Sequence, residues 1–396
     1  MLAVALSLVF VAVIAVTGVA AAVTGGLEPM GPADPGPSQE DLVPDVSGDP
    51  DSQAPDGDPG QGLEVTPVAY NVPGEMRAVY LTPGQDFFAS GDRSEAKVKS
   101  EIDAALQKIQ DLSMNTVVIQ TASDKGVVYD SANLPTLATG YDPLGYAISA
   151  AKGRGLYVYC IYNLLTVPGQ ESMVHASPVD ASVIDRMEEE LISFVRDYKP
   201  DGILLADYEN PDGDSSYGGY LSAGGGIGYQ RYMRGVPDLA VRMAADIIHT
   251  RAPGMQAGLL TTAVWANQDQ DEAGSKTNAA HTALVGGNAD VRAFVKDGLV
   301  DFVAVEAVGS QSDPAIPFNT VTKWRGKTAS EAGIPLYLVH GADRMGTSAA
   351  GWGDSGQLVS QLVAARETDG YKGSMYNSLS KLSANPGGAT TNLLDY

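Results

Sequence analysis

Cysteine is nearly absent: one residue, Cys160, in 396, so no intrachain disulfide framework holds the fold. It sits in the apolar run Leu156-Tyr157-Val158-Tyr159-Cys160-Ile161-Tyr162, which favours a small buried side chain over a nucleophile. Histidine is also scarce. His175, His249, His281 and His340 are widely spaced and none forms a His-Glu-x-x-His ligand pair, so no metal is expected. Positive charge is missing from the whole start of the chain, where no Lys or Arg precedes Arg77. The residues after Glu75 hold all 25 Lys and Arg but 37 of the 48 Asp and Glu, so they too are acidic. That balance argues against nucleic acid as a partner, because phosphate contacts need clustered basic side chains. Solubility is the plainer use of the charge.

Leu2 to Val23 carries no charge and is rich in Ala, Val and Leu. It is long enough to span a bilayer, and Ala20-Ala21-Ala22 offers small residues for signal cleavage. We read residues 1–25 as a signal peptide or membrane anchor, the anchor being preferred. Residues 26–75 are rich in Pro, Gly, Asp and Ser with few large apolar groups, and burial there cannot offset conformational entropy. They read as a disordered acidic linker. Its lack of Lys and Arg fits a site outside the cytoplasm, membrane-anchored or secreted.

From Met76 short apolar runs alternate with helical patterns. Strands are expected at 76–82, 116–121, 156–162, 202–206, 255–262, 302–305, 335–340 and 373–378. Helices are expected at 94–112, 143–154, 183–197, 237–251, 289–296, 320–332 and 356–367, from 3.6-residue periodicity and from caps such as Asp142-Pro143. The strands are near-continuously apolar, as parallel strands buried on both faces should be. Eight repeats of this alternation predict an α/β fold, a (β/α)8 TIM barrel over residues 76–396, with a doubly wound open sheet as the rival. No Gly-x-Gly-x-x-Gly follows the first strand, which counts against a dinucleotide cofactor. Only 18 residues follow Ser378, so the last helix is short or missing.

Active sites of such barrels lie at the C-terminal strand ends. Standing there are Tyr162 and Asn163, then Asp207, Tyr208 and Glu209, then Thr262, Trp265 and Asn267, then Glu306, His340, Asp343, Arg344 and Asn377. Carboxylates, amides and aromatic rings form a sugar-binding mixture. Glycoside hydrolysis needs two carboxyl groups across the scissile bond. Asp207, ending a very apolar strand, is the leading acid, and Glu306 its leading partner. Blander readings stand beside these: Asp207 as a helix cap or a ligand to a loop amide, Glu306 as a structural partner of Arg344. Glu209 and Asp343 are reserves. Asp212 and Asp214 read as solvated. The loop Pro211 to Gly228, with Tyr217, Tyr220 and Tyr229, reads equally as a lid or as an ordinary surface loop.

Several stretches recur together in one family. They are Met76-Arg77-Ala78-Val79-Tyr80-Leu81-Thr82, Asn115 to Gln120, Asp142-Pro143-Leu144, Lys152 to Val158, Asn163, Asp201-Gly202-Ile203 with Asp207-Tyr208 and Pro211, Gly274-Ser275 with Thr277, Ala289-Asp290 with Arg292, and His340 with Arg344. In these the chain resembles glycoside-hydrolase-like family 10, bacterial TIM-barrel glycosidases distinct from the xylanases that share the number. The resemblance implies an extracytoplasmic barrel acting on cell-wall or matrix glycans, with peptidoglycan strands stripped of stem peptides as the substrate class and no cofactor. The chain departs from the family in three places. Ala206 stands where the family has a second acid, Glu306-Ala307-Val308-Gly309 replaces Gln-x-Tyr-Trp, and Thr166 and Val167 stand near the place of an expected Arg. These departures keep open a catalytically inactive barrel that binds glycan or a partner protein.

Overall fold

In the computed structural model, residues 70–169, 172–175, 181–212, 217, 218, 220, 221, 226 and 228–396 are described. The expected anchor, nearly all of the expected linker, Asp214 and most of the Tyr/Gly loop lie outside them. Eight strands form the barrel: β1 (Met76–Leu81), β2 (Thr116–Gln120), β3 (Tyr157–Asn163), β4 (Gly202–Ala206), β5 (Gln256–Thr261), β6 (Phe302–Val305), β7 (Leu336–His340) and β8 (Tyr371–Tyr376). Each pairs in parallel with its sequence neighbours, and β8 pairs with β1, which closes the cylinder. Closure excludes the doubly wound sheet.

The outer helices are α1 (Glu95–Asp111), α2 (Pro143–Gly153), α3 (Ala181–Asp197), α4 (Tyr229–Arg251), α5 (Val291–Lys296), α6 (Phe318–Ala332) and α7 (Gln357–Arg366). Local chemistry explains their ends. Asp142 accepts a hydrogen bond from Gly145 N–H at 2.9 Å, with Pro143 opening α2. Gly333, at φ 72°, closes α6 in the left-handed region. The last helix is short, as expected: Leu379–Ala384, then a second piece, Ala389–Asp395. Among the described residues no helix is long and apolar enough to cross a membrane.

One helix begins two turns before its expected start. Pro237 suggests a first turn, yet it lies inside α4. A proline there cannot donate to the carbonyl four residues back, on Met233. Asn210 Nδ2 donates to that carbonyl instead, at 3.2 Å. The helix therefore continues through the proline, and the segment after β4 is tied to it.

Alternation along the strands divides the core in two. Ala78, Tyr80, Val118, Tyr159, Ile161, Leu204, Ala206, Phe302, Ala304, Tyr337, Val339 and Met375 fill the barrel interior. Their neighbours, such as Val79, Val117, Cys160, Leu205 and Val305, pack against the helices. Low in the interior Phe302 lies edge-on to Tyr159 at 5.7 Å and to Tyr337 at 5.2 Å. Glycines make room: a Cβ on Gly258 would stand 2.0 Å from Phe302, and one on Gly202 2.5 Å from Tyr159. The lower rim is stitched by polar groups. Asp201 accepts from Val158 N–H at 2.8 Å and faces Lys152 at 3.4 Å, and Asp301 accepts from Ala257 N–H at 2.8 Å. A Gly258→Ala variant should lose about 1–3 kcal/mol by overpacking against Phe302, read as a lower urea midpoint with an unchanged m-value.

Candidate active site

Glu306 follows Val305 at the top of β6. Counting by two from Phe302 and Ala304, which point inward, Glu306 also points inward. Asp207 reaches the same place differently. Ala206 is the inward residue of β4, and alternation would turn the next side chain out. Asp207 instead adopts φ 50°, a left-handed conformation that Asp tolerates better than most residues, and it joins the mouth. Ala206, Asp207, Tyr208, Glu209, Leu260, Thr262 and Glu306 line one cavity of about 150 Å3.

The electrostatics follow from this crowding. Burial, helped by the carboxylates of Asp207, Glu209 and Asp343, pushes Glu306 up to about 7, against a weaker opposing pull from Arg344. Among the described residues no side chain hydrogen-bonds or ion-pairs with it, so the blander reading of a Glu306–Arg344 salt bridge does not hold. Asp207 is open to solvent on one side and crowded by protein on the others. Desolvation, with Glu209 adding to it, raises its proton affinity on balance, against the smaller pulls of the Thr166 hydroxyl, donating at 2.6 Å, and of His175. Asn163 Nδ2 donates in turn to Thr166 Oγ1 at 3.3 Å.

Glu209 Oε2 lies 2.5 Å from His281 Nε2, and its main-chain oxygen lies 3.1 Å from His175 Nε2. The Glu209 partner raises the proton affinity of His281, whereas burial lowers that of His175. On the far side of the mouth a short turn, Ala342–Arg344, carries Asp343 and Arg344. Asn377 fixes it, its main-chain oxygen accepting from Asp343 N–H at 2.6 Å. Among the described residues no group of three His, Cys, Asp or Glu side chains is arranged to hold a metal ion.

Thus Asp207, Glu209 and Glu306 share the cavity. Tyr208 borders it but, against expectation, its ring is buried against Phe294 and is not open to a sugar. Asn163 joins the cavity through Thr166, and Asp343, Arg344 and Asn377 occupy the opposite rim. Four expected contacts lie elsewhere. Tyr162 and His340 have the outward phase of their strands. Tyr162 is buried against Phe194 and Tyr129. His340 is fully buried between Phe318 and Tyr376, bonded to Gln361 at 2.9 Å and Ser374 at 2.8 Å, and burial pushes its pKa down to about 4. Trp265 is buried, stacked on Trp324 at 5.6 Å, with its indole N–H donated to Asp290 at 2.9 Å. Asn267 is spent inside its own loop, on Thr277 and Ala279. None of the four offers a surface to a sugar. His175 and His281 are not expected at the site from the sequence, and Thr166 stands out there only as lying near the place where the resemblance implies an Arg; His281 meets Glu209 across 72 residues.

No family model matches the chain. It is similar to glycosyl hydrolase YngK of Bacillus subtilis (strain 168), 23% identical over 81% of this chain and 71% of the relative. It is also similar to glycosyl hydrolase DigH of Escherichia coli (strain K12), 26% identical over 66% of this chain and 72% of the relative. Among solved structures, the glycoside hydrolase domain of PgaB (BpsB) from Bordetella bronchiseptica shares the fold, with a TM-score of 0.58 at 16% identity, over 82% of this chain and 98% of that one.

Glu306 also has a stability consequence. Its folded pKa, about 7, exceeds its ordinary value of 4.5, so the fold is most favoured below pH 4.5 with respect to this group and loses that contribution as pH rises through 7. Glu306→Gln, which mimics the protonated acid, should be more stable than the wild type above pH 7, by up to ~3 kcal/mol. The gap should close towards pH 4.5 in urea unfolding run across the window.

Proposed function

We propose that the protein is a glycoside hydrolase acting on a bacterial cell-wall or matrix glycan, with Glu306 and Asp207 as its carboxyl pair. One observation carries this reading: two carboxyl groups from separate strands line one cavity at the C-terminal mouth of the barrel. The likeness to YngK and DigH supports glycoside chemistry. The resemblance to glycoside-hydrolase-like family 10 supports the finer substrate class, peptidoglycan strands stripped of stem peptides, with matrix polysaccharide beside it.

The environments divide the roles. Glu306, pushed up to about 7, holds a proton near neutral pH and can pass it to the glycosidic oxygen as the bond to the anomeric carbon breaks. Asp207, with a hydroxyl donated to it, is the better anion. It either attacks the anomeric carbon or takes a proton from the water that does. This reverses the expectation that Asp207 is the acid, because Glu306 is the more completely desolvated of the two. Asn163, Asp343, Arg344 and Asn377 would meet sugar hydroxyls around the rim. The reading includes an extracytoplasmic location, supported by the uncharged run Leu2 to Val23 and by the resemblance.

The test is release of reducing ends from purified cell-wall glycan and from matrix polysaccharide. Asp207→Asn and Glu306→Gln should each cut turnover by roughly 10²–10⁴-fold while leaving glycan binding and the folded circular dichroism spectrum in place. Full turnover in both variants would sink the assignment of the pair. Binding by the wild type without any release would favour the inactive, glycan-binding barrel.

A further inference from the structure

His281 comes from the loop between β5 and α5 and meets Glu209, which follows β4, at 2.5 Å. The two chain segments are locked together around that contact. Asn210 N–H donates to Gly287 O at 2.8 Å, and Asn288 Nδ2 donates to Asn210 O at 3.0 Å. The packing is close on the inner side of the pair, while the outer side of His281 is 40% exposed. A Cβ on Gly287 would stand 2.5 Å from Glu209 Cδ, and one on Gly286 2.6 Å from His281 Nδ1. The loop is therefore shaped around this carboxylate and this imidazole, with two glycines where any side chain would displace one of them.

We propose that His281 is a positioning residue, which clamps Glu209 at the barrel mouth so that Glu209 faces Glu306 as a paired charge and not as a free one. The groups around Glu209 are His281, His175, Asp207, Tyr208 and, within electrostatic reach, the buried Arg325. Those around Glu306 are Asp207, Glu209, Asp343, Arg344, Tyr80 and Tyr208. In this set most of the charges near Glu306 are negative, so the proton affinity of Glu306 depends on how much of the Glu209 charge is compensated. With a protonated imidazole in contact, the pair presents a dipole. Without it, a bare carboxylate repels the ionised form of Glu306.

The signs are opposite for the two partners. His281→Gln keeps a hydrogen-bond donor but removes the group whose proton affinity Glu209 raises. Glu306 should then hold its proton more tightly, by up to roughly threefold in affinity, because the imidazole is 40% exposed and screened by solvent. Glu209→Gln removes the like charge, so Glu306 should release its proton at lower pH. Gly287→Ala leaves every charge in place but pushes Glu209 out of its seat, so the midpoint should move there too.

The inference rests on Glu306 being the acid of the proposed reaction, but its test needs no turnover. Carboxyl-¹³C glutamate is incorporated into the full chain, the Glu306 resonance is identified by its loss in Glu306→Gln, and its midpoint is followed by titration. An upward shift in His281→Gln with a downward shift in Glu209→Gln supports the clamp. No shift in either, or shifts of the same sign in both, overturns it. If the shifts appear and no glycan is cleaved by the wild type, the hydrolase reading fails and the positioning role stands. In an active enzyme the same variants should move the basic limb of the pH–rate profile in the same opposite directions.

Discussion

Closure of the sheet is the constraint from which the site descends. A closed cylinder has no edge and no solvated face, so every strand side chain points either into the interior or against the helices. The alternation is strict, and one residue of phase decides whether a group near a strand end meets the mouth or the helix layer. Glu306 has the inward phase. His340 and Tyr162, equally near the ends of their strands, have the outward one and are enclosed by aromatic neighbours. Asp207 escapes the rule through a single left-handed residue at the end of β4, which is how two consecutive positions, Ala206 and Asp207, both line the cavity.

The same constraint explains what could be read from the sequence. Strand and helix positions were legible because parallel strands are apolar throughout and the helices carry a 3.6-residue period with recognisable caps. That apolar continuity also conceals the phase. In Leu336–His340 both faces are buried, so nothing in the run tells an inward His from an outward one. The early start of α4 was hidden for another reason. Pro237 is an ordinary stop signal, and its repair comes from Asn210, a residue in a different loop. Trp265 and Asn267 were plausible sugar contacts by type. The long loop that carries them folds back on itself, using Asn267 for its own cohesion and Trp265 to pack against Trp324 of α6 and Asp290. Thr166 and His281 act through contacts 41 and 72 residues apart, which no local pattern encodes.

The two rims of the barrel use similar side chains to opposite ends. At the lower rim Asp201 and Asp301 accept backbone N–H groups and face Lys152 and His249. Each has a side-chain partner, and each staples a strand start. At the upper rim Asp207, Glu209, Glu306 and Asp343 converge, and among the described residues no side chain hydrogen-bonds the Glu306 carboxyl. Folding a chain around such a group costs free energy. The cost is tolerable because the carboxyl can take up a proton, and a carboxyl that keeps its proton near neutrality is what an acid-assisted bond cleavage needs.

The residues found at Ala206 and Thr166 have a physical sense in this light. Ala206 removes one acid from a mouth that already gathers four carboxylates. A fifth would add repulsion without adding a second proton donor in the inward phase, where Glu306 already stands. An Arg near position 166 would strongly favour ionised Asp207. Thr166 gives it a neutral donor at 2.6 Å, holding the carboxylate in place with a weaker pull on its proton. These residues set the balance of charge at a mouth where two carboxyl groups from separate strands line one cavity. Glu306 thus ends an otherwise apolar strand with only the weaker pull of Arg344 set against three neighbouring carboxylates.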